Sequence, residues 1–285
     1  MSIFDQKVIK YEMKPLSSLE KVFPDETPVY RMECQMLSGL WGETVSFQVA
    51  YTGDFVMRER LDVRVVSELA EHVHVRTVEM VPVGRATNGI VDDNYLKTTS
   101  GLYPDLLKDL KDGKVIVYSR QWRSLWVDVD ITNEIPAGEY EIELQLIKEG
   151  EVVCSAKQKV TVIGTELPKL DIMHTEWMHA DCLADYHVEV FSEEHWKLLE
   201  NYFQEYVKRD CNMMLTPLFT SPLDTAIGLE RTTCQLIDVE VKDGEYVFGF
   251  AKLKRWIDLC KKCGIEYFEM SHLFSQWGAK YAPKV

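Results

Sequence analysis

The stretch that decides the fold runs from residue 168 to residue 278. It opens on LDIMHTEW (170–177), a short apolar run that breaks into polar and aromatic residues. SEEHWKLLENYFQEYVKR (192–209) has the amphipathic period of a helix, and CNMMLTPLF (211–219) is a second apolar run with a polar end. FAKLKRWIDLCKKC (250–263) is a second helix stopped by Gly264, and IEYFEMSHLF (265–274) reads as a third strand. Short apolar runs alternating with helices of ten or more residues predict βαβ units on a parallel sheet. The polar residues gather just past each run, where open α/β sheets and β/α barrels place their sites.

Upstream of about residue 165 the period changes. Residues 43–52, 61–66, 73–81, 125–131, 140–147 and 153–163 alternate apolar and polar, with Val45, Phe47 and Val49 on one face of the first run. Period-2 alternation at this density, punctuated by PAGE (136–139) and KEGE (148–151), predicts an antiparallel β-sandwich, with KEGE as a hairpin turn. Residues 85–120 read as an irregular insert. GTELPKL (164–170) carries Gly and Pro where the period switches. The expected organisation is therefore a sandwich over residues 1–165 and a β/α domain over 166–285.

A chain of 285 residues has room for two domains. Its formal charge of −14 argues against nucleic acid or an anionic membrane as partner, because both reward basic patches. No run approaches the roughly 18 apolar residues of a membrane helix. The amino-terminal residues show no apolar signal region, and seven cysteines without framework spacing fit free thiols. Together these predict a cytoplasmic protein. Nothing in the sequence sets an oligomeric state.

Three clusters could carry chemistry. The first holds His174, Glu176, Trp177, His179 and Asp181. An indole can stack on the apolar face of a sugar, and carboxylates can bind hydroxyls or protons. In the plainer reading Trp177 plugs the base of a loop and His179 caps the next segment. The spacing of His174, His179 and Asp181 fits neither a helical HExxH site nor a zinc ribbon, so no metal is expected. The second cluster is the loop 216–233, with Asp224, Glu230 and Arg231, where Glu230 and Arg231 could equally pair with each other. Residues 235–250 follow as a hairpin turned at KDGE. The third cluster gathers Glu269, His272, Trp277 and Lys280, a set suited to a polar ring. Cys260 and Cys263 form a lone CxxC near a helix end and read as structural, as does the helix start SEEH (192–195), with Ser192 as N-cap.

HTEWMHADCLA (174–184), NMMLTPLFTSPLDT (212–225) and EMSHLFSQWGA (269–279) resemble glycoside hydrolase family 123 and its uncharacterised relatives, and the upstream domain is similar to the sandwich those proteins carry. The resemblance implies a β-sandwich followed by a (β/α)8 barrel that removes N-acetylgalactosamine from glycans. It also implies a substrate-assisted mechanism: the sugar's acetamido group attacks the anomeric carbon while an adjacent Asp–Glu pair, after the fourth barrel strand, orients it and moves the proton. A full barrel needs about 250 residues. This chain has room for about three βα units, and its sole adjacent Asp–Glu is Asp25–Glu26, in the β-domain. The expectation is an incomplete barrel that is the amino-terminal portion of a longer hydrolase-like protein, inactive alone, with no catalytic residue and no cofactor. His174, Glu176, Trp177, Asp181, Asp224, Glu269, His272 and Trp277 would form a wall binding an amino-sugar glycan. A non-catalytic carbohydrate-binding protein and an assembly scaffold are the alternatives.

Overall fold

The structure is a computed structural model that describes residues 10–29, 36–55, 57–87, 89, 91–92, 94–169, 171–220 and 232–272. The chain divides into two compact units, Met1–Pro168 and Lys169–Val285.

The first unit is built of β1 (Lys10–Ser17), β2 (Met36–Trp41), β3 (Thr44–Asp54), β4 (Glu59–Val66), β5 (Val73–Val83), β6 (Gly101–Asp109), β7 (Lys114–Val117), β8 (Arg123–Asp130), β9 (Gly138–Lys148) and β10 (Glu151–Glu166). They form two five-stranded sheets, ordered β1-β3-β8-β5-β6 and β2-β10-β9-β4-β7. Leu125, Val127 and Val129 on β8 are buried at alternate positions, as are Ile142, Leu144 and Leu146 on β9, and all belong to one core. Alternation thus does what the sequence predicts: one face of each sheet turns inward.

Three features depart from the expectation. The sandwich is not wholly antiparallel, because β2 runs parallel to β10. β3 is buried on both faces from Phe47 to Tyr51, since Leu16, Val22, Ala50 and Trp122 build a second small core outside the sheet. Gln48 lies in that covered face. Its amide nitrogen donates to the carbonyl of Glu20 at 2.7 Å and its carbonyl oxygen accepts from Ser124 at 2.9 Å, so its burial leaves no amide group idle. Finally, the insert at 85–120 contains two strands. Pro104 hid the first, since proline suits only edge positions, and β6 is the edge of its sheet, with a register shift opposite Glu79 and Met80.

The hairpin at KEGE is present, with Glu149 (φ 52°) and Gly150 (φ 89°) both left-handed, the conformation a two-residue turn between twisted strands requires.

In the second unit, α1 (Glu193–Val207) and α2 (Ala251–Cys263) pack together, with Phe203 and Trp256 edge to face at 5.0 Å and both fully buried. The Ser192 hydroxyl caps α1 by accepting from the His195 N–H at 3.3 Å, and left-handed Gly264 ends α2, both as the sequence predicts. Arg255 of α2 makes two 2.7 Å bonds to Glu193 of α1 and lies over Trp196. β11 (Met213–Thr216) and β14 (Tyr267–Met270) pair in parallel, and β12 (Asp238–Lys242) with β13 (Glu245–Gly249) forms the predicted hairpin.

The expected first strand at 170–177 is a correction: no strand forms over the described residues 171–177. It is tied to the start of β11 by a few bonds only: the His174 carbonyl accepts from the N–H groups of Asn212 and Met213 at 3.0 and 3.1 Å, and the Asn212 side chain donates to the Ile172 carbonyl at 2.8 Å. Beyond that point the Tyr206 hydroxyl takes the Glu176 N–H, a donor that a ladder would have used. The two paired strands do not by themselves establish three βα units.

Candidate active site

β11 and β14 run side by side, so their carboxyl ends open in the same direction. The Ser271 N–H donates to the Thr216 carbonyl at 3.0 Å, which carries the pairing one step past β14 and sets His272 just beyond the strand end. Trp177 comes to the same place. Its indole N–H donates to Glu269 Oε2 at 2.9 Å, and its ring lies 5.4 Å from the His272 ring, centroid to centroid. Trp177 remains 42% exposed, so the tethered indole still offers surface to a ligand.

Asp181 stands on the short 3-10 helix Ala180–Tyr186 and lines a narrow hollow with Leu215, Pro217, Cys234 and Ser271. The hollow measures about 10 Å³, room for roughly one water. The Ser271 hydroxyl is buried against it and has no hydrogen-bond partner among the described residues.

His174 and Glu176 form a separate group. His174 pairs with the residues that begin β11, not with its carboxyl end. Its ring lies 3.6 Å from the Glu176 carboxylate and 3.8 Å from the Cys211 sulfur. Burial, then the carboxylates of Glu176 and Asp210, pushes the Cys211 thiol above its ordinary value, so it is no ready nucleophile. Asp224 and Trp277, with Glu230, Arg231 and Lys280, lie outside the described residues. Of the eight expected wall residues, the structure thus brings together Trp177, Glu269 and His272, with Asp181 on a hollow beside Ser271.

Sequence reasoning missed Tyr206. Its hydroxyl accepts from the Glu176 N–H at 2.7 Å and lies 2.6 Å from the Met213 carbonyl and 2.9 Å from the Glu176 carbonyl, either of which can take its one proton. Burial raises its pKa, and the bonds to Thr175 and Glu176 pull it part of the way back down. Tyr206 thereby fixes the backbone one residue before Trp177. The only sequence signal was a tyrosine late in an amphipathic helix, which has many plainer explanations.

His195 is fully buried and satisfied: Nδ1 accepts from the Phe191 N–H at 3.1 Å and Nε2 lies 3.1 Å from the Ala180 carbonyl. That places the proton on Nε2. Burial lowers the tendency of this ring to charge. Cys260 is buried between the helices, which raises its thiol far above the ordinary range. Among the described residues no group of three or more His, Cys, Asp or Glu converges as a metal site.

Comparison with known proteins supports a single family. Residues 177–285 match the sequence model of the glycoside hydrolase 123 catalytic domain. No match was found among curated proteins. Among solved structures, a family 123 glycoside hydrolase from Clostridium perfringens, described for glycolipid glycan hydrolysis, superposes with a TM-score of 0.67 at 12% identity, covering 93% of this chain and 49% of that one. The chain thus spans about half the length of that enzyme. A β-glucosidase from Listeria innocua in complex with isofagomine reaches a TM-score of 0.26 at 10% identity, covering 56% and 17% of the two chains, too distant to carry an argument. Among the described residues no helix is long and apolar enough to cross a membrane. In sequence over residues 177–285, and in fold over nearly its whole length, the family this chain resembles is glycoside hydrolase family 123.

Proposed function

We propose that this is a glycoside hydrolase-like protein, that residues 166–285 are the amino-terminal portion of a (β/α)8 catalytic domain, and that their rim takes an N-acetylgalactosamine-type sugar. The observation that carries this reading is the group of Trp177, Glu269 and His272, inside the stretch that matches a glycosidase catalytic domain. A half-exposed indole held by a carboxylate suits the apolar face of a pyranose, with polar groups beside it for hydroxyls. Asp181, His174, Glu176, Asp224 and Trp277 complete the proposed wall. Cys154, Cys211, Cys260 and Cys263 are free thiols, which supports a reducing, cytoplasmic setting.

Hydrolysis in this reading is substrate-assisted. The sole adjacent Asp–Glu of the sequence is Asp25–Glu26, in the β-domain, so proton transfer is assigned to no residue of this chain and turnover by it is expected to be nil. A non-catalytic glycan-binding role is the second reading, favoured by the Glu269 carboxylate being engaged by an indole instead of standing open. The test is saturation-transfer NMR with N-acetylgalactosamine and galactose, beside an assay with a chromogenic N-acetylgalactosaminide. Binding of the amino sugar that weakens about tenfold in Trp177→Ala supports the site. Equal binding by that variant sinks it, and turnover by the chain alone overturns the assignment of no catalytic residue.

A further inference from the structure

A cleft outside that site belongs to the sandwich. It measures about 740 Å³ and takes walls from both sheets, with β5, β6 and β8 on one side and β4 and β7 on the other. That is within the usual range for small-molecule sites, and far more than one ion needs. Six cationic side chains line it against three acidic ones, in a chain whose formal charge is −14.

The partners of these charges are unequal. Arg60 is held by Asp112 at 2.9 Å, Lys114 pairs with Asp62, and Glu59 is held by Lys148 at 2.9 Å. Glu79 accepts from the Thr77 hydroxyl at 2.8 Å. Arg58, Lys108, Lys111 and Arg123 make no ion pair with any described residue, and Asp109 is the remaining acid. Arg123 is the best fixed of the four. Its guanidinium lies 5.2 Å from the Tyr118 ring centre and one terminal nitrogen donates to Gln121 at 3.0 Å. Its Nε and Nη1 are buried and meet no acceptor among the described residues. Buried hydrogen-bond donors without an acceptor are costly, more so when charged. A guanidinium pinned by an aromatic ring holds its delocalised charge at a fixed place on the cleft wall, where it attracts a carboxylate or sulfate.

We propose that this cleft binds a small ligand through an oxyanion, a carboxylate or sulfate, attracted by the charge of Arg123, Lys108 and Lys111. The Tyr118 ring gives the rest of such a ligand an aromatic surface. This site is independent of the sugar-binding reading of the second unit.

The experiment is calorimetric titration of the full chain at low salt with glucuronate, inorganic sulfate and glucose. Saturable binding of glucuronate or sulfate, with glucose silent and affinity falling as salt rises, is the expected result. Displacement of glucuronate by sulfate identifies the oxyanion as the shared determinant, and glucuronate binding that sulfate cannot displace assigns the site to carboxylates. Arg123→Gln should weaken binding roughly tenfold, with Arg123→Lys falling between, because it keeps the charge and loses the planar group held on the Tyr118 ring. The Lys108→Gln/Lys111→Gln double variant, at exposed positions, should weaken binding less and flatten the salt dependence. No saturable binding of either anion, or glucose binding as well as glucuronate, overturns the proposal. So does unchanged affinity in Arg123→Gln. Should that variant fail to fold, unchanged affinity and salt slope in the lysine double variant overturn it instead.

Discussion

The indole Nε1 of Trp177 donates to the Glu269 carboxylate at 2.9 Å across 92 residues of sequence. The bond ties the segment before α1 to the end of β14, and so joins the first and third clusters that the sequence offered separately.

Breaking that bond should matter to the site more than to the fold. Glu269→Ala removes the acceptor of a solvent-exposed indole, so the stability loss should stay below about 1 kcal/mol. The Trp177 ring, once untethered, should show a shifted emission maximum and faster fluorescence depolarisation. Unchanged emission and depolarisation would mean that the carboxylate does not hold the ring.

Tyr206→Phe is expected to cost more. It removes one hydroxyl that accepts from the Glu176 N–H and gives its one proton to the Met213 or the Glu176 carbonyl, the bond to Met213 being part-buried. A loss of about 1–3 kcal/mol in urea unfolding is expected, with altered near-ultraviolet dichroism from Trp177. A variant as stable as the parent would show that water replaces the hydroxyl at no cost.

Stability should also depend on His195. Burial lowers its folded-state pKa below the ordinary value near 6.5, so below that pH the unfolded chain binds the proton that the folded chain refuses. The contribution is fully present above about pH 6.5 and is lost as the pH falls from there towards the folded value. Chemical denaturation at pH 7.5 and 5.5 should show the fall, and His195→Gln should reduce the slope. Identical slopes in parent and variant would count against the burial effect.

The helix pair provides a contest of magnitudes. Trp256 is fully buried against Phe203, yet its indole N–H has no acceptor among the described residues. Trp256→Ala should cost about 3–5 kcal/mol from lost packing and a cavity. Trp256→Phe loses volume but also removes the unpaired donor, so it should cost under about 1.5 kcal/mol. Thermal unfolding of both variants measures the difference. Similar losses would show that ring volume outweighs the idle N–H.

Much of the fold could be read from local pattern. Period-2 alternation located the runs that became β3, β4, β5, β8, β9 and β10, and the 3.6-residue period with Ser192 and Gly264 bounded α1 and α2. Such signals are local because burial on one face repeats with the backbone's own period. β6 and β7 escaped the pattern, the first through its edge proline and the second because four residues are too few to show a period.

By itself, the sequence determined which faces are apolar, where helices begin and stop, and which polar residues follow each apolar run. Only the tertiary structure decided the parallel seating of β2 on β10, the capture of the Glu176 N–H by Tyr206 in place of a ladder, and the parting of His174 from Trp177, Glu269 and His272. These depend on pairings between residues tens of positions apart. A hydroxyl or carboxylate competes for a distant donor only once the cores have brought the two together, and no local period records that competition.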